Sequence, residues 1–308
     1  MVVSSVEDGQ NGRDNRRKYL DLAMDNLKMT YRCSIPSPPL TCYIDDLYYW
    51  SGPAPYLCQK VLPASSFNLM VNLGYPFKVY EPNRAEPLIT CTESWLVGLW
   101  KTCHIVDWPL HVQFFGIHFK PGGAYPFLRF PLSELNGQVV SLDAIWGQYA
   151  LEVREQLYAA PTLRAGFDVL EHLLLARFNE PPYGLEVVQY ATAEIVRNRG
   201  ALSIQLLSDR IGISQNHLGT QFKRFIGIPP KEFARLYRFA HVLHVIDSTH
   251  TMNWTSIAHQ AGFYDQSHFN KDFVAFTGYS PTDYLRLRRR VQTDNPEHGQ
   301  ACNNLPID

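Results

Sequence analysis

From Tyr31 to about Phe130 the apolar positions fall in short, aromatic-rich runs cut by breakers. The runs are Tyr43-Ile44, Leu47 to Trp50, Phe67 to Leu73, Phe77 to Tyr80 and His111 to Phe119. Pro53, Pro55, Pro63, Gly74, Pro76, Pro82, Pro121 and Gly122-Gly123 lie between them. Many short strands at this spacing predict an all-β barrel or sandwich. From Leu142 the period changes to that of helices. Leu142, Ile145, Tyr149, Val153 and Leu157 mark one, over Leu142 to Ala160; Leu163, Phe167, Leu170 and Leu174 mark a second, over Thr162 to Phe178. Pro161 separates them, and Ser141 and Thr162 are candidate N-caps. The pair either covers the β layer or forms a dimer interface. Asn179 to Gly184 is turn-rich and is the linker candidate; Leu185 to Arg290 reads as helices throughout. Residues 1–29 and 292–308 are polar and without period, and are expected to be disordered tails. The expected organisation is therefore a sensing or dimerisation domain over 30–180 and an all-α domain over 185–291.

The last third contains an internal repeat. One copy runs from Ile204 through Pro230 and the other from Thr255 through Pro281. Leu207, Gly212 and Ile213 correspond to Ile257, Gly262 and Phe263, and Leu218, Phe222, Phe225, Gly227 and Pro230 to Phe269, Phe273, Phe276, Gly278 and Pro281. Each copy has the grammar of a helix-turn-helix. A short amphipathic helix leads to a Gly, which tolerates the positive φ of a tight turn. An apolar plug follows, and then a polar N-cap, Ser214 or Asp265, opens a second helix. That helix is apolar on one face (Leu218 with Phe222; Phe269 with Phe273) and polar on the other. The polar faces carry Gln215, Asn216, Thr220, Lys223 and Arg224 in the first copy, and Gln266, Ser267, Asn270 and Lys271 in the second. A helix with amide and basic side chains on its front suits the major groove, where such groups read base edges. Lys231 to Asp247 is expected to be a long connecting helix, setting the two readers about one turn of DNA apart, ~34 Å. Arg286 and Arg289, within a cluster that also includes Arg288 and Arg290, suit phosphate contacts.

Charge supports this placement. Gly184 to Val291 holds 13 Lys and Arg against 8 Asp and Glu, whereas the chain as a whole has a net charge of -1. Positive charge is thus concentrated where phosphates would be met. No apolar run reaches the ~20 residues of a membrane helix, and the polar N-terminus lacks the apolar stretch of a secretory signal. A cytoplasmic, bacterial location is the expectation.

The second copy resembles the AraC/XylS family of bacterial regulators. The matching residues are Ile257-Ala258, Gly262 through Phe269, Phe273, Gly278 through Pro281, and Tyr284. The first copy is similar through Leu206-Leu207, Ile211 to Ser214, Leu218, Phe222-Lys223, Gly227 and Pro230. The resemblance covers roughly Leu185 to Arg290. It implies about seven helices contacting two adjacent major grooves of promoter DNA, with RNA polymerase as a further partner. It implies base-edge contacts from Asn216, Gly219 and Thr220 in the first reading helix and from Gln266, Ser267, Asn270 and Lys271 in the second. Many family members have a long polar or basic side chain where Gly219 and Thr220 stand here, which moves weight to Gln215, Asn216 and Lys223. Gly116 through Gly123, with Pro126-Phe127-Leu128, is similar to an uncharacterised N-terminal domain of some members. By analogy the β part is expected to be a small cupin-like barrel.

Other chemistry is sparse. No phosphate loop, G-x-S-x-G elbow or H-E-x-x-H occurs, so no cofactor and no enzymatic activity are expected. The six cysteines include no C-x-x-C pair, and small buried hydrophobes are their expected role. His104, His111 and His118 recur every seven residues; ordinary hydrogen-bonded histidines are expected, with a metal site as the alternative. A second alternative is a catalytic N-terminal module, for which Cys103 with His104 would be the reactive pair. Tyr48, Tyr49, Trp50, Trp95, Trp100, Trp108, Phe114, Phe115 and Tyr125 are candidates either for the core or for a pocket that takes a small organic effector. A homodimer is the other candidate assembly.

Overall fold

A computed structural model describes residues 29–54, 56–246, 250, 252–294 and 305–307. Its strands are β1 (Thr30–Ser34), β2 (Ile44–Pro53), β3 (Cys58–Val61), β4 (Asn68–Asn72), β5 (Phe77–Tyr80), β6 (Ile89–Cys91), β7 (Ser94–Val97), β8 (His104–Asp107), β9 (His111–Phe119), β10 (Val139–Ser141) and β11 (Leu305–Pro306). They form two antiparallel sheets, one of six strands in the order β1-β2-β9-β4-β7-β10, the other of five in the order β11-β3-β8-β5-β6. The expected β-rich domain is present, but as two sheets with open edges rather than as a closed barrel. Three of the four edge strands, β6, β10 and β11, are only two or three residues long, too short to bridge from one sheet to the other.

Period-two alternation sorts side chains into two cores. On β9, Val112 and Phe114 point between the sheets, while Phe115, Ile117 and Phe119 point to the helical side. On β2, Tyr48 and Trp50 face the inter-sheet cluster, and Leu47 and Tyr49 the helical one. Gly116 stands opposite Tyr48 in this ladder. A Cβ there would lie 2.1 Å from the Tyr48 ring, so only glycine lets that ring lie across the strand.

The helices of the N-terminal part are α1 (Tyr125–Leu128), α2 (Asp143–Trp146), α3 (Gln148–Ala159) and α4 (Leu163–Arg177), with a 3₁₀ turn over Leu132–Leu135. One helix over Leu142 to Ala160 was expected. Gly147, at φ 60°, divides it into α2 and α3. Ser141 belongs to β10 and caps neither helix, whereas Thr162 caps α4 by accepting from Ala165 N at 3.1 Å. α4 lays Phe167, Leu170 and Leu174 on the six-stranded sheet, where the Phe167 and Phe115 rings meet edge to face at 5.5 Å. α4 therefore covers the β layer with this face.

The candidate linker is anchored: Asn179 Nδ2 donates to Pro126 O and to Arg177 O, at 3.0 and 2.8 Å. Beyond it come seven described helices, α5 (Leu185–Arg197), α6 (Ile204–Ile211), α7 (Gln215–Phe225), α8 (Pro230–Val245), α9 (Trp254–Gln260), α10 (Gln266–Thr277) and α11 (Pro281–Asp294). The tails depart from expectation in part. Residues 1–28 and 295–304 lie outside the described residues. Leu305–Pro306, expected in a disordered tail, pairs with β3, and Leu305 is fully buried. Leu305 and Ile307, two apolar residues at the end of a polar run, are too few to show a period and give no signal of this.

Candidate nucleic-acid interface

Each repeat copy folds as two helices joined by a tight turn. In the first, Gly212 closes α6 at φ 79° and Ser214 Oγ accepts from His217 N at 3.2 Å, opening α7. In the second, Gly262 stands at φ 77° and Asp265 Oδ1 accepts from His268 N at 2.7 Å, opening α10. Both Gly positions need the left-handed backbone that a side chain resists. Leu218, Phe222 and Phe225 bury the back of α7; Phe269, Phe273 and Phe276 bury the back of α10. What remains outward is polar. Gln215, Asn216, Thr220, Lys223 and Arg224 are exposed on α7. On α10, Ser267 and Lys271 are exposed, and Gln266 and Asn270 are partly covered.

Two hydrogen bonds tie the fronts to the helices that precede them. Gln266 Oε1 accepts from Thr255 Oγ1 at 2.6 Å, and Gln215 is bonded to Gln205. Thr220 Oγ1 donates to Asn216 O at 3.0 Å, so this short side chain is turned back onto its own helix. Arg286 and Arg289 lie exposed on α11, where Arg286 pairs with Asp283 at 2.8 Å and Arg289 donates to His250 O at 2.9 Å.

The surroundings of the two units differ. α8 clamps the second. Its Arg235 reaches Asp272, buried on α10, at 2.9 Å, and its Arg238 donates to Gly262 O at 3.3 Å while lying 5.0 Å from the Phe263 ring. Burial pulls the Arg238 guanidinium below its ordinary range, with Asp272 opposing that shift. The first unit is held by the N-terminal part. Tyr125 Oη accepts from Arg224 Nε at 3.1 Å, the Tyr125 and Phe225 rings meet edge to face at 4.7 Å, and Asn136 donates to Gly227 O. Lys101 adds an exposed pair with Glu232 at 2.7 Å.

Comparison with known proteins places this geometry. Residues 207–287 match a helix-turn-helix domain, and residues 33–141 match a domain of unknown function. Over 100 residues the chain is 33% identical to an uncharacterized HTH-type transcriptional regulator of Staphylococcus aureus strain MSSA476, and equally to those of strains MRSA252 and N315. The alignment covers 32% of this chain and 13% of each relative, so the chain spans about an eighth of their length. Residues 207–287 are an AraC-type helix-turn-helix domain. Among solved structures, ToxT from Vibrio cholerae is similar at 12% identity over 78% of this chain and 97% of that one, with a TM-score of 0.41. A ToxT structure with bound unsaturated fatty acid is similar at 13% identity over 77% of this chain and 93% of that one, with a TM-score of 0.39.

The AraC-type domain is joined to a chamber in the N-terminal part. The chamber lies between the two sheets and has a volume of about 500 Å³. Six of the nine candidate aromatics line it: Tyr48, Trp50, Trp95, Trp100, Trp108 and Phe114. Tyr49 and Phe115 sit on the other strand face, and Tyr125 instead meets Arg224 of the AraC-type domain. Val291 of α11 also lines the chamber, so the last helix of the AraC-type domain forms part of its wall. Nearby on β3, Lys60 Nζ lies 3.9 Å from the centre of the Tyr279 ring.

The remaining candidates are dispersed. His111 and His118 stand at opposite ends of β9, and His104 lies in the other sheet. His118 Nδ1 is 2.9 Å from Asp46 and its ring stacks on Tyr48 at 4.3 Å. Among the described residues, no group of three His, Cys, Asp or Glu is placed to hold a metal. Cys103 is buried, its Sγ faces Thr277 O at 3.8 Å, and burial pushes the thiol up, opposite to what a reactive thiolate needs. Burial likewise lowers His104. No described helix is long and apolar enough to cross a membrane.

Proposed function

We propose that this protein is an effector-controlled, sequence-specific transcription regulator of the bacterial cytoplasm. Residues 30–180 sense, residues 185–291 bind promoter DNA, and α7 and α10 enter neighbouring major grooves. Gln215, Asn216 and Thr220 on α7, and Gln266, Ser267, Asn270 and Lys271 on α10, face base edges. Lys223, Arg286 and Arg289 face phosphates, and Arg224 joins them when it is released from Tyr125. The observation that carries this reading is the pairing of two reading helices, each with a buried apolar back and an outward polar front, inside one AraC-type domain. Effector control is supported by Val291, through which an occupant of the chamber would touch the helix that follows the second reader. A homodimer through α3 and α4 and a contact with RNA polymerase belong to the same reading; exposed Tyr158 and Leu175 support the dimer face.

The test is binding of the full chain to its own upstream DNA against scrambled duplex at ~150 mM salt, where phosphate contacts alone do not mask base reading. Preference for the natural fragment is expected. Gln266→Ala should relax that preference, and Arg289→Ala should weaken both duplexes alike. Equal affinity for every duplex would overturn the reading in favour of an architectural binder, since phosphate contacts carry no sequence information.

A further inference from the structure

The outer edge of β3 is covered by β11, a strand that follows the AraC-type domain in the chain yet completes a sheet of the N-terminal part. Leu305 stands opposite Lys60 and Pro306 opposite Gln59, and Ile307 N donates to Cys58 O at 3.0 Å. Antiparallel ladders alternate bonded and non-bonded pairs. Ile307 with Cys58 is a bonded pair, so Pro306 with Gln59 is a non-bonded one. The missing N–H of Pro306 therefore falls on the side facing away from β3 and removes no ladder bond. It also denies the new edge to any further strand.

Period two sets the faces. Gln59 and Val61 line the chamber, so Lys60 and Leu305 point the other way. There Leu305 is fully buried in the cluster that holds Leu62, Phe276 and Tyr284, and α11 packs against β11. Lys60 Nζ lies 3.9 Å from the centre of the Tyr279 ring, and Cys103 Sγ lies 3.8 Å from Thr277 O. Thr277 ends α10 and Tyr279 precedes α11. Strand, lysine and cysteine thus converge on the joint between the second reading helix and the helix that carries Arg286 and Arg289.

On the other unit, Tyr125 and Asn136 hold the first reading helix. With both units held, the spacing of the readers is set by the N-terminal part as well as by α8, and Arg224 is engaged by Tyr125 instead of being free for a phosphate. Burying one leucine and closing a few ladder bonds gains about what ordering three residues costs, so the β11 contact is near balance and can open.

We propose that residues 305–307 are a reversible clasp, which holds the second helix-turn-helix unit against the N-terminal part in a state of reduced DNA affinity, and that promoter binding requires its release. The proposal rests on the DNA-binding reading above and adds to it a device that restrains the second reader.

The experiment locks the clasp in the full chain. The Cα atoms of a bonded antiparallel pair stand about 5.5 Å apart, within disulfide range, so Ile307→Cys can cross-link to the native Cys58, which is a free thiol. Mild oxidation should form the 58–307 disulfide, checked by peptide mapping. Affinity for the chain's own upstream DNA should then fall by roughly 10-fold or more, a common size for coupling between two sites, and dithiothreitol should restore it. The native chain under the same two conditions controls for its other thiols. Leu305→Asp, which places an unpaired charge in the buried position, should bind roughly 2- to 10-fold more tightly than the native chain, because release recovers only the closed fraction. Leu305→Met should match the native chain. Failure of the cross-link to form would overturn the docking of β11. Equal affinity in the oxidised and reduced states would overturn the clasp and leave DNA reading standing. Tighter binding by the oxidised chain would make the docked state the binding one, and would overturn the proposal. Absence of upstream-DNA binding by the native chain, the reduced Ile307→Cys chain and Leu305→Asp alike would overturn the promoter-binding reading, and the clasp with it.

Discussion

The two helix-turn-helix units share one pattern of buried residues and differ in what holds them. α7 is fastened to the N-terminal part through Tyr125 and Asn136. α10 is fastened to the long helix α8 through Arg235 and Arg238, two groups inside the AraC-type domain itself. Their fronts differ too. α7 offers Gly219 and a Thr220 folded back on its own backbone, whereas α10 offers Gln266 braced by Thr255, with Ser267 and Lys271 exposed. A repeat fixes the scaffold, and the anchors then decide which copy can be moved by the sensing part. Both units touch the N-terminal part, the first at its reading helix through Arg224 and the second at the end of its own, where Cys103 Sγ faces Thr277 O and Lys60 lies over the Tyr279 ring; the second is the better-equipped reader.

The sharpest way to break this comparison is to test whether the scaffolds are equivalent. Phe222 and Phe273 occupy matching positions and are 0% and 1% exposed. Phe222→Ala and Phe273→Ala should each destabilise by about 3–5 kcal/mol, as expected for an emptied aromatic site. Denaturant unfolding checks it, and a gap of more than about 2 kcal/mol between the two would show that one copy does not bear on the core as the other does. Asp272→Ala is next. It strands Arg235 beside α10, and breaking a well-buried pair costs ~3–5 kcal/mol; because the Arg235 side chain is 39% exposed, about 2 kcal/mol is expected. A loss confined to tenths of a kcal/mol would mean that α8 is not what fixes the second unit.

Base reading should be unequal. Gln266→Ala should cost about 1–3 kcal/mol against the natural site and relax its sequence preference. Thr220→Ala should stay within about 0.5 kcal/mol, since its hydroxyl is already engaged on Asn216 O. Competition titrations with mutated half-sites decide it. Equal losses would return the first helix to an equal share of the readout.

What the sequence made legible follows from period and repetition. The helix boundaries around Ser214 and Asp265 were readable because each cap precedes an apolar i, i+4 pair. The β-rich character of the first half was readable from short runs and breakers, but not its split into two sheets, because pairing depends on long-range register and leaves no local mark. Gly147 was hidden inside an otherwise continuous helical period. The chamber aromatics were present in the sequence, but the assignment of Trp100 to the chamber and of Tyr125 to Arg224 required the fold. Arg235, Arg238 and Asp272 carry no signal in the sequence, since a charge on a helix looks the same whether it clamps a neighbour or faces water.

The finest distinction concerns adjacent cations on α7. Lys223 and Arg224 are both exposed and both suit phosphates, yet Arg224 donates to Tyr125 Oη whereas Lys223 has no such tether in the described structure. If the N-terminal part withholds Arg224 from DNA, the salt dependence of binding should separate the two. Lys223→Ala should lower the slope of log affinity against log salt by about 1, the loss of one phosphate contact, and Arg224→Ala should leave the slope unchanged. Tyr125→Phe removes the acceptor and releases the guanidinium, so it should raise the slope by about 1 in the otherwise native chain. Adding Arg224→Ala to that variant should then bring the slope back down. A slope that falls with Arg224→Ala alone would place this arginine on phosphate already, and the coupling of the first unit to the sensing part would have to run through Asn136 and the Tyr125–Phe225 ring contact instead.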